Sequence, residues 1–153
     1  MRKLITAVLA MCFWGLTAQN NQVELVNGKF YTMDGTLFTG VYTQYEEGTK
    51  VAELSIASGE LSGTAKYFHL SGALKESGTY KNGKREDEWK KYSATGNLLC
   101  VASFLNDTKH GKWLVWDNEG NLRFEMYYKN GKQVGTWKMW DANGELTTKD
   151  FGQ

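Results

Sequence analysis

Few side chains in this sequence are of types that do chemistry by themselves, and their spacing argues for little. Cys100 sits on an alternating apolar stripe with Leu98, Ala102 and Phe104. A nucleophilic thiol wants a base beside it and access to solvent, and no histidine lies near it in sequence. Cys100 therefore reads as a small buried hydrophobe. His69 and His110 occupy different registers and form neither His-x-His nor His-Glu-x-x-His, so they read as solvated turn residues, not as metal ligands. Glu86-Asp87-Glu88 is a short acidic run without the spaced oxygens that calcium requires, and reads as a solvated hairpin turn. Asn82-Gly83-Lys84 and Asn130-Gly131-Lys132 put backbone N–H groups beside a lysine, a arrangement able to hold anions. Two copies make no basic stripe, and turn geometry alone accounts for them. The sequence carries no G-x-G-x-x-G, Walker loop or G-x-S-x-G. Neither a catalytic site, a metal nor a cofactor is expected.

The remaining chemistry is that of flat rings. Trp89, Trp113, Trp116, Trp137 and Trp140 could stack on a sugar or a peptide, or pack strand on strand. Their spacing is regular. Gly111-Lys112-Trp113-Leu114-Val115-Trp116 recurs as Gly135-Thr136-Trp137-Lys138-Met139-Trp140 and, more loosely, as Asp87-Glu88-Trp89-Lys90-Lys91-Tyr92. The starts at 87, 111 and 135 are 24 residues apart, and a fixed period of this size is the mark of a repeat architecture. Most of these rings are therefore expected in the core. The two rings of a unit are three residues apart, so simple alternation puts them on opposite faces. A bulge that realigns them, or a strand that ends at the second ring, is the alternative. If the second ring faces away, Tyr45, Tyr92, Trp116 and Trp140 form the candidate binding surface.

The elements that position these rings are hairpins. After Gly72, Gly96 and Gly120 come Leu74, Leu98 and Leu122, and period-two alternation then runs through Leu122, Phe124, Met126 and Tyr128. Lys81-Asn82-Gly83-Lys84, Leu105-Asn106-Asp107-Thr108 and Lys129-Asn130-Gly131-Lys132 close these strands with tight turns. No helical stripe of useful length follows the first residues. The fold expected is all-β, an elongated single antiparallel sheet of consecutive β-hairpin repeats with a period of about 24 residues.

Arg2-Lys3, an apolar stretch from Leu4 to Leu16 and small Thr17 and Ala18 are the three parts of a secretory signal peptide. The protein is therefore expected to be exported to the periplasm, the outer surface or the medium. Cys12 lies inside the apolar stretch after Met11 and does not end it, which argues against a lipoprotein signal. The organisation expected is a signal peptide over 1–19, a polar link and atypical opening unit over 20–39, repeats over 40–62, 63–86, 87–110 and 111–134, and a partial terminal repeat over 135–153. With 18 basic and 17 acidic residues in 153, there is no electrostatic case for nucleic acid and only a weak one for an anionic lipid surface.

This pattern resembles the MORN repeat family, in particular its bacterial variant form. The motif there is roughly Gly-x-Trp/Tyr-x-x-Tyr/Trp, a short turn, Gly-x-Leu, an aromatic strand and Asn-Gly-Lys. It is matched by Gly40-Val41-Tyr42-Thr43-Gln44-Tyr45, by Gly111 to Trp116 with Gly120-Asn121-Leu122, and by Gly135 to Trp140 with Gly144-Glu145-Leu146. Ala65 in place of a first ring, Asp87 in place of an opening glycine and the early Gly48 depart from it. The resemblance covers about residues 28–148 and implies a scaffold or binding module. Some eukaryotic relatives are associated with membranes and phosphoinositides, and some bacterial ones are described as antitoxins, a cytosolic role that fits badly with a secretory leader. The expected function is that of an exported, non-enzymatic repeat scaffold or binding module for an unknown protein, a glycan or other cell-surface material. The alternatives are a membrane- or lipid-associated repeat protein, an antitoxin-like partner of a toxin and a carbohydrate-directed enzyme. Unprotected sheet edges would favour edge-to-edge self-association.

Overall fold

The computed structural model describes residues 23–152; the signal peptide expected over 1–19 and most of the expected polar link lie outside the described residues. Strands β1 (Val23–Val26) and β2 (Lys29–Thr32) form a small two-stranded sheet. Ten further strands follow: β3 (Gly40–Glu46), β4 (Thr49–Ala57), β5 (Glu60–Phe68), β6 (Leu74–Lys81), β7 (Lys84–Tyr92), β8 (Leu98–Leu105), β9 (Thr108–Trp116), β10 (Leu122–Lys129), β11 (Lys132–Trp140) and β12 (Leu146–Asp150). They lie in one antiparallel sheet in sequence order, each strand beside the next. The fold is thus all-β, a 10-stranded run of consecutive hairpins. The opening hairpin stands apart as its own sheet and joins the main one through Phe30, whose ring meets Tyr42 at 5.1 Å.

Two turn types alternate along the array. Asn82-Gly83, Asn106-Asp107 and Asn130-Gly131 are two-residue turns with both residues at positive φ, the geometry whose twist matches that of paired strands. Asp107 keeps that geometry at φ 66°. Each turn also reaches back one repeat. The N–H of Gly83 donates to the Leu61 carbonyl at 2.8 Å, that of Asp107 to Arg85 at 3.0 Å and that of Gly131 to Lys109 at 2.8 Å. At the other strand ends, Asp117 donates its N–H to the Asn121 carbonyl at 3.0 Å and receives the Gly120 N–H at 3.2 Å. His69–Gly72, Ser93–Gly96 and Asp141–Gly144 repeat the pattern. The early Gly48 marks a departure: β3 and β4 are joined by a two-residue turn, Glu47-Gly48.

Two kinds of bulge recur with the repeat. In β5, β7, β9 and β11 the stretch holding Gly63, Asp87, Gly111 or Gly135 spends four residues against two on the preceding strand. All four of these residues have positive φ. Glu86-Asp87-Glu88 consequently lies inside β7 and not in the turn expected from sequence. The second bulge inserts a single residue: Val51 in β4, Lys75 in β6, Leu99 in β8 and Arg123 in β10. One surplus residue moves everything beyond it to the other face. Leu74, Leu98 and Leu122 therefore do not share a face with Glu76, Cys100 and Phe124, as plain alternation would have had it.

The face holding Ala52, Leu54, Ile56, Ala65, Trp89, Ala102, Phe104 and Trp137 is the core. Rings stack along it in a ladder: Phe104 on Trp113 at 5.2 Å, Trp113 on Tyr128 at 5.4 Å, Tyr128 on Trp137 at 5.2 Å and Trp137 on Phe151 at 4.7 Å. Each ladder tryptophan donates its indole N–H to a carbonyl ten residues upstream: Trp89 to Thr79 at 3.2 Å, Trp113 to Ser103 at 2.9 Å and Trp137 to Tyr127 at 3.1 Å. Arg85 and Lys109 cover the ladder from above, 4.0 Å from the Phe104 ring and 4.5 Å from the Trp113 ring. Their aliphatic stems and charges seal rings that a second sheet would otherwise cover.

Candidate binding surface

The register decides where the second ring of each repeat points. Trp113 pairs with Ala102 and Val115 with Cys100, without interruption along β9. Trp116, three residues past Trp113, therefore stands on the face opposite the ladder. The single-residue bulge at Arg123 then brings Leu122 across from it. The same pairing recurs as Phe68 with Leu74, Tyr92 with Leu98 and Trp140 with Leu146. Tyr45 lies on this face at the first strand of the sheet, opposite Lys50. Of the three arrangements compatible with the spacing, two hold together: one ring stands on each face, and the second ring is the last residue of its strand, as Tyr92 is of β7, Trp116 of β9 and Trp140 of β11. The bulge realigns the leucine, not the tryptophan.

The structure thus brings Tyr45, Tyr92, Trp116 and Trp140 together in a row across the sheet, and adds Phe68 and the four leucines. Phe68 was legible in principle, since 68, 92, 116 and 140 are 24 apart. It was hidden because Tyr67 beside it takes the ladder side, facing Tyr80. Successive rings sit two strands apart, about 10 Å at ordinary strand spacing. Tyr45 is half exposed, and Tyr92, Trp116 and Trp140 are partly so. A shallow recess of about 320 Å³ opens between Asn97, Leu98, Trp116, Glu119 and Gly120. A second, of about 470 Å³, opens at the same strand ends on the ladder side, lined by Gln44, Ala52 and Tyr67 together with Phe68 and His69.

Beside this row runs a row of cross-strand neighbours on the same face. Glu53 meets Lys50 at 2.9 Å and Lys66 at 3.7 Å. Glu125 meets Lys112 at 3.3 Å and Lys138 at 3.5 Å, and accepts the Tyr127 hydroxyl at 2.9 Å. The Lys50 hydrogen bond and the charges of Lys50 and Lys66 hold the Glu53 carboxyl below the ordinary range. The Tyr127 hydrogen bond, followed by Lys112 and Lys138, does the same for Glu125. Val101 and Leu114 sit between the two charged groups. Each glutamate is held between two lysines, so this strip carries a net positive charge beside the rings.

The loops at this end of the strands are tied to one another. His69 Nε2 lies 3.2 Å from the Tyr92 carbonyl, the Asn97 side chain donates to the Asn118 carbonyl at 2.9 Å, and Arg123 bonds both Asp117 and the Asp141 carbonyl. The row accordingly rests on a braced frame. Cys100 is half-buried on the ladder face, where burial pushes its thiol up, the opposite of what a nucleophile needs. Among the described residues no group of three or more His, Cys, Asp or Glu is placed to hold a metal ion. No helix among them is long and apolar enough to cross a membrane.

Among solved structures the chain is similar to the crystal structure of the GtfA/B complex bound to UDP and GlcNAc, with 15% identity over 94% of this chain and a TM-score of 0.29. It spans 25% of that chain's length, and at that score the likeness carries no argument. No curated protein matches. The model of the MORN repeat variant matches residues 61–82, 109–130 and 133–151, which are the hairpins β5–β6, β9–β10 and β11–β12. In the ten-stranded sheet the unmatched hairpins are β3–β4, with the short Glu47-Gly48 turn, and β7–β8, with Asp87 for glycine, and both keep the strand order and the single-residue bulge. Over these three segments the chain carries MORN repeats of the variant form.

Proposed function

We propose that the protein is an exported, non-catalytic binding module that holds a protein or glycan partner of the cell surface against the ring row. The observation that carries this reading is the row itself. One ring per repeat, Tyr45, Phe68, Tyr92, Trp116 and Trp140, stands on the face that the ladder does not use. Packing alone demands rings on one face only, and the repeat family suggests a binding module. Rings at a constant spacing suit an extended partner, which meets one ring per repeat and gains by adding contacts.

The purified protein, immobilised, is tested against solubilised envelope proteins and, separately, against isolated surface polysaccharide. Trp116→Ala with Trp140→Ala should abolish capture while leaving the melting temperature within a few degrees. Capture of the same partner by that variant, or no capture in either arm, would count against the reading. Fractionation of the expressing cells tests export: protein found wholly in the cytosol would refute it.

A further inference from the structure

Among the described residues the ten-stranded sheet ends in two strands that pair on one side only, β3 and β12. The two are of complementary type. Throughout the array a leucine-led strand is followed by a strand of the Gly-x-ring-x-x-ring kind: β8 by β9 and β10 by β11. The last strand, β12, opens with Leu146 and is leucine-led, whereas the first, Gly40-Val41-Tyr42-Thr43-Gln44-Tyr45-Glu46, is of the ring kind. We infer that β12 of one copy pairs with β3 of the next, so that copies join head to tail and the array continues from chain to chain.

The interface continues one already present, that between β10 and β11. There Phe124 faces Met139 and Glu125 faces Lys138. β12 lacks the single-residue bulge of β10, since Leu146, Thr147 and Thr148 pair consecutively with Trp140, Met139 and Lys138. Thr147 and Thr148 consequently take the places of Phe124 and Glu125. On β3 the places of Met139 and Lys138 fall to Gln44 and Thr43. The register between copies is therefore Thr147 to Gln44 and Thr148 to Thr43. Thr148 and Thr43 belong to the same face, because Thr148 pairs with Lys138 and Thr43 with Glu53 along one cross-strand row. The junction also places Tyr45 of one copy after Trp140 and Leu146 of another, extending the ring row that the proposed function rests on.

Two features of the β3 end fit this occupant. β3 carries no lysine, arginine or proline, the residues with which exposed edges are usually blunted. Of the ten large hydrophobic side chains exposed among the described residues, six lie in this end of the chain: Leu25, Val26, Met33, Leu37, Val41 and Tyr45. A heterologous contact of this kind joins different surfaces of the two copies, so it passes from chain to chain as a series of multimers, or a ring where the rotation closes, and not as a two-fold dimer.

The test uses protein purified from its expressing cells, its N-terminus defined by mass spectrometry, with Cys12→Ala and Cys100→Ala to remove both native thiols. Thr43→Cys and Thr148→Cys are introduced singly and together. Oxidation of the double variant should give a ladder of reducible multimers, and neither single variant should cross-link. Moving the second cysteine by one residue, with Lys149→Cys in place of Thr148→Cys, turns it to the other face and should suppress the ladder. Sedimentation of protein without added cysteines should show mass rising with concentration. A monomer at every concentration overturns the inference, as does cross-linking of Thr43→Cys alone, which would mark a two-fold β3–β3 contact. Circular dichroism verifies that each variant is folded. Partner capture by a monomeric protein would leave the binding reading intact while removing this one, so the two fail separately.

Discussion

Gly78 is the only described glycine without positive φ, so space, not backbone conformation, explains it. A Cβ there would lie 2.2 Å from Cδ2 of Trp89. The Trp89 ring lies flat over the backbone at that point, and the opposite residue, Ala65, is small and fully buried. Ala65 and Gly78 are thus one adaptation: the first-ring position is given up so that the next repeat's tryptophan can settle. Gly78→Ala is expected to destabilise the protein by at least about 1–3 kcal/mol through overpacking, measured by urea unfolding. A second residue-scale prediction concerns Glu125. Its folded-state carboxyl titrates below the ordinary glutamate range, so its contribution is fully present above the unfolded value, declines as pH falls below it and is gone beneath the folded value. Glu125→Gln should therefore cost stability at neutral pH and lose that cost on acidification. Denaturation midpoints of both proteins across the acid range check this, and a difference that grows toward low pH would contradict it.

At the scale of the element, the repeat is a hairpin with two bulges of different consequence. The two-residue surplus around Gly63, Asp87, Gly111 and Gly135 preserves the alternation of faces and needs a left-handed residue. Asp87 adopts φ 56° there, a conformation that costs an L-residue about 1–2 kcal/mol. Asp87→Gly should raise stability by about 0.5–1 kcal/mol, after the glycine's own loss of chain freedom is subtracted. Chemical denaturation checks it. The single-residue bulge changes which face a side chain takes and produces the pairs Phe68–Leu74, Tyr92–Leu98 and Trp116–Leu122. Its position could not be read from the alternation of Leu122, Phe124, Met126 and Tyr128, because an inserted residue leaves the apolar spacing unchanged. A pairing partner is needed to see it, and Arg123 is surplus only relative to β9.

At the scale of the molecule, a single sheet has two faces and two edges, and each is treated differently. The ladder face is closed by rings, by the opening hairpin through Phe30 and by Arg85 and Lys109. The other carries paired charges and the ring row, which is where partner capture by Trp116→Ala with Trp140→Ala has its meaning. The edges are the ends of the array, and the cross-linking ladder expected between Thr43 and Thr148 follows from their complementary strand types. The sequence by itself determined the repeat, its 24-residue period, the hairpins and the antiparallel order, because turn chemistry and ring spacing are local and recur at fixed distances. The tertiary structure alone decided which face each ring occupies, that Leu122 stands with Trp116 and not with Phe124, and that Glu86-Asp87-Glu88 is strand. Those outcomes depend on register between neighbouring strands, and register is a property of the pair that neither strand carries alone.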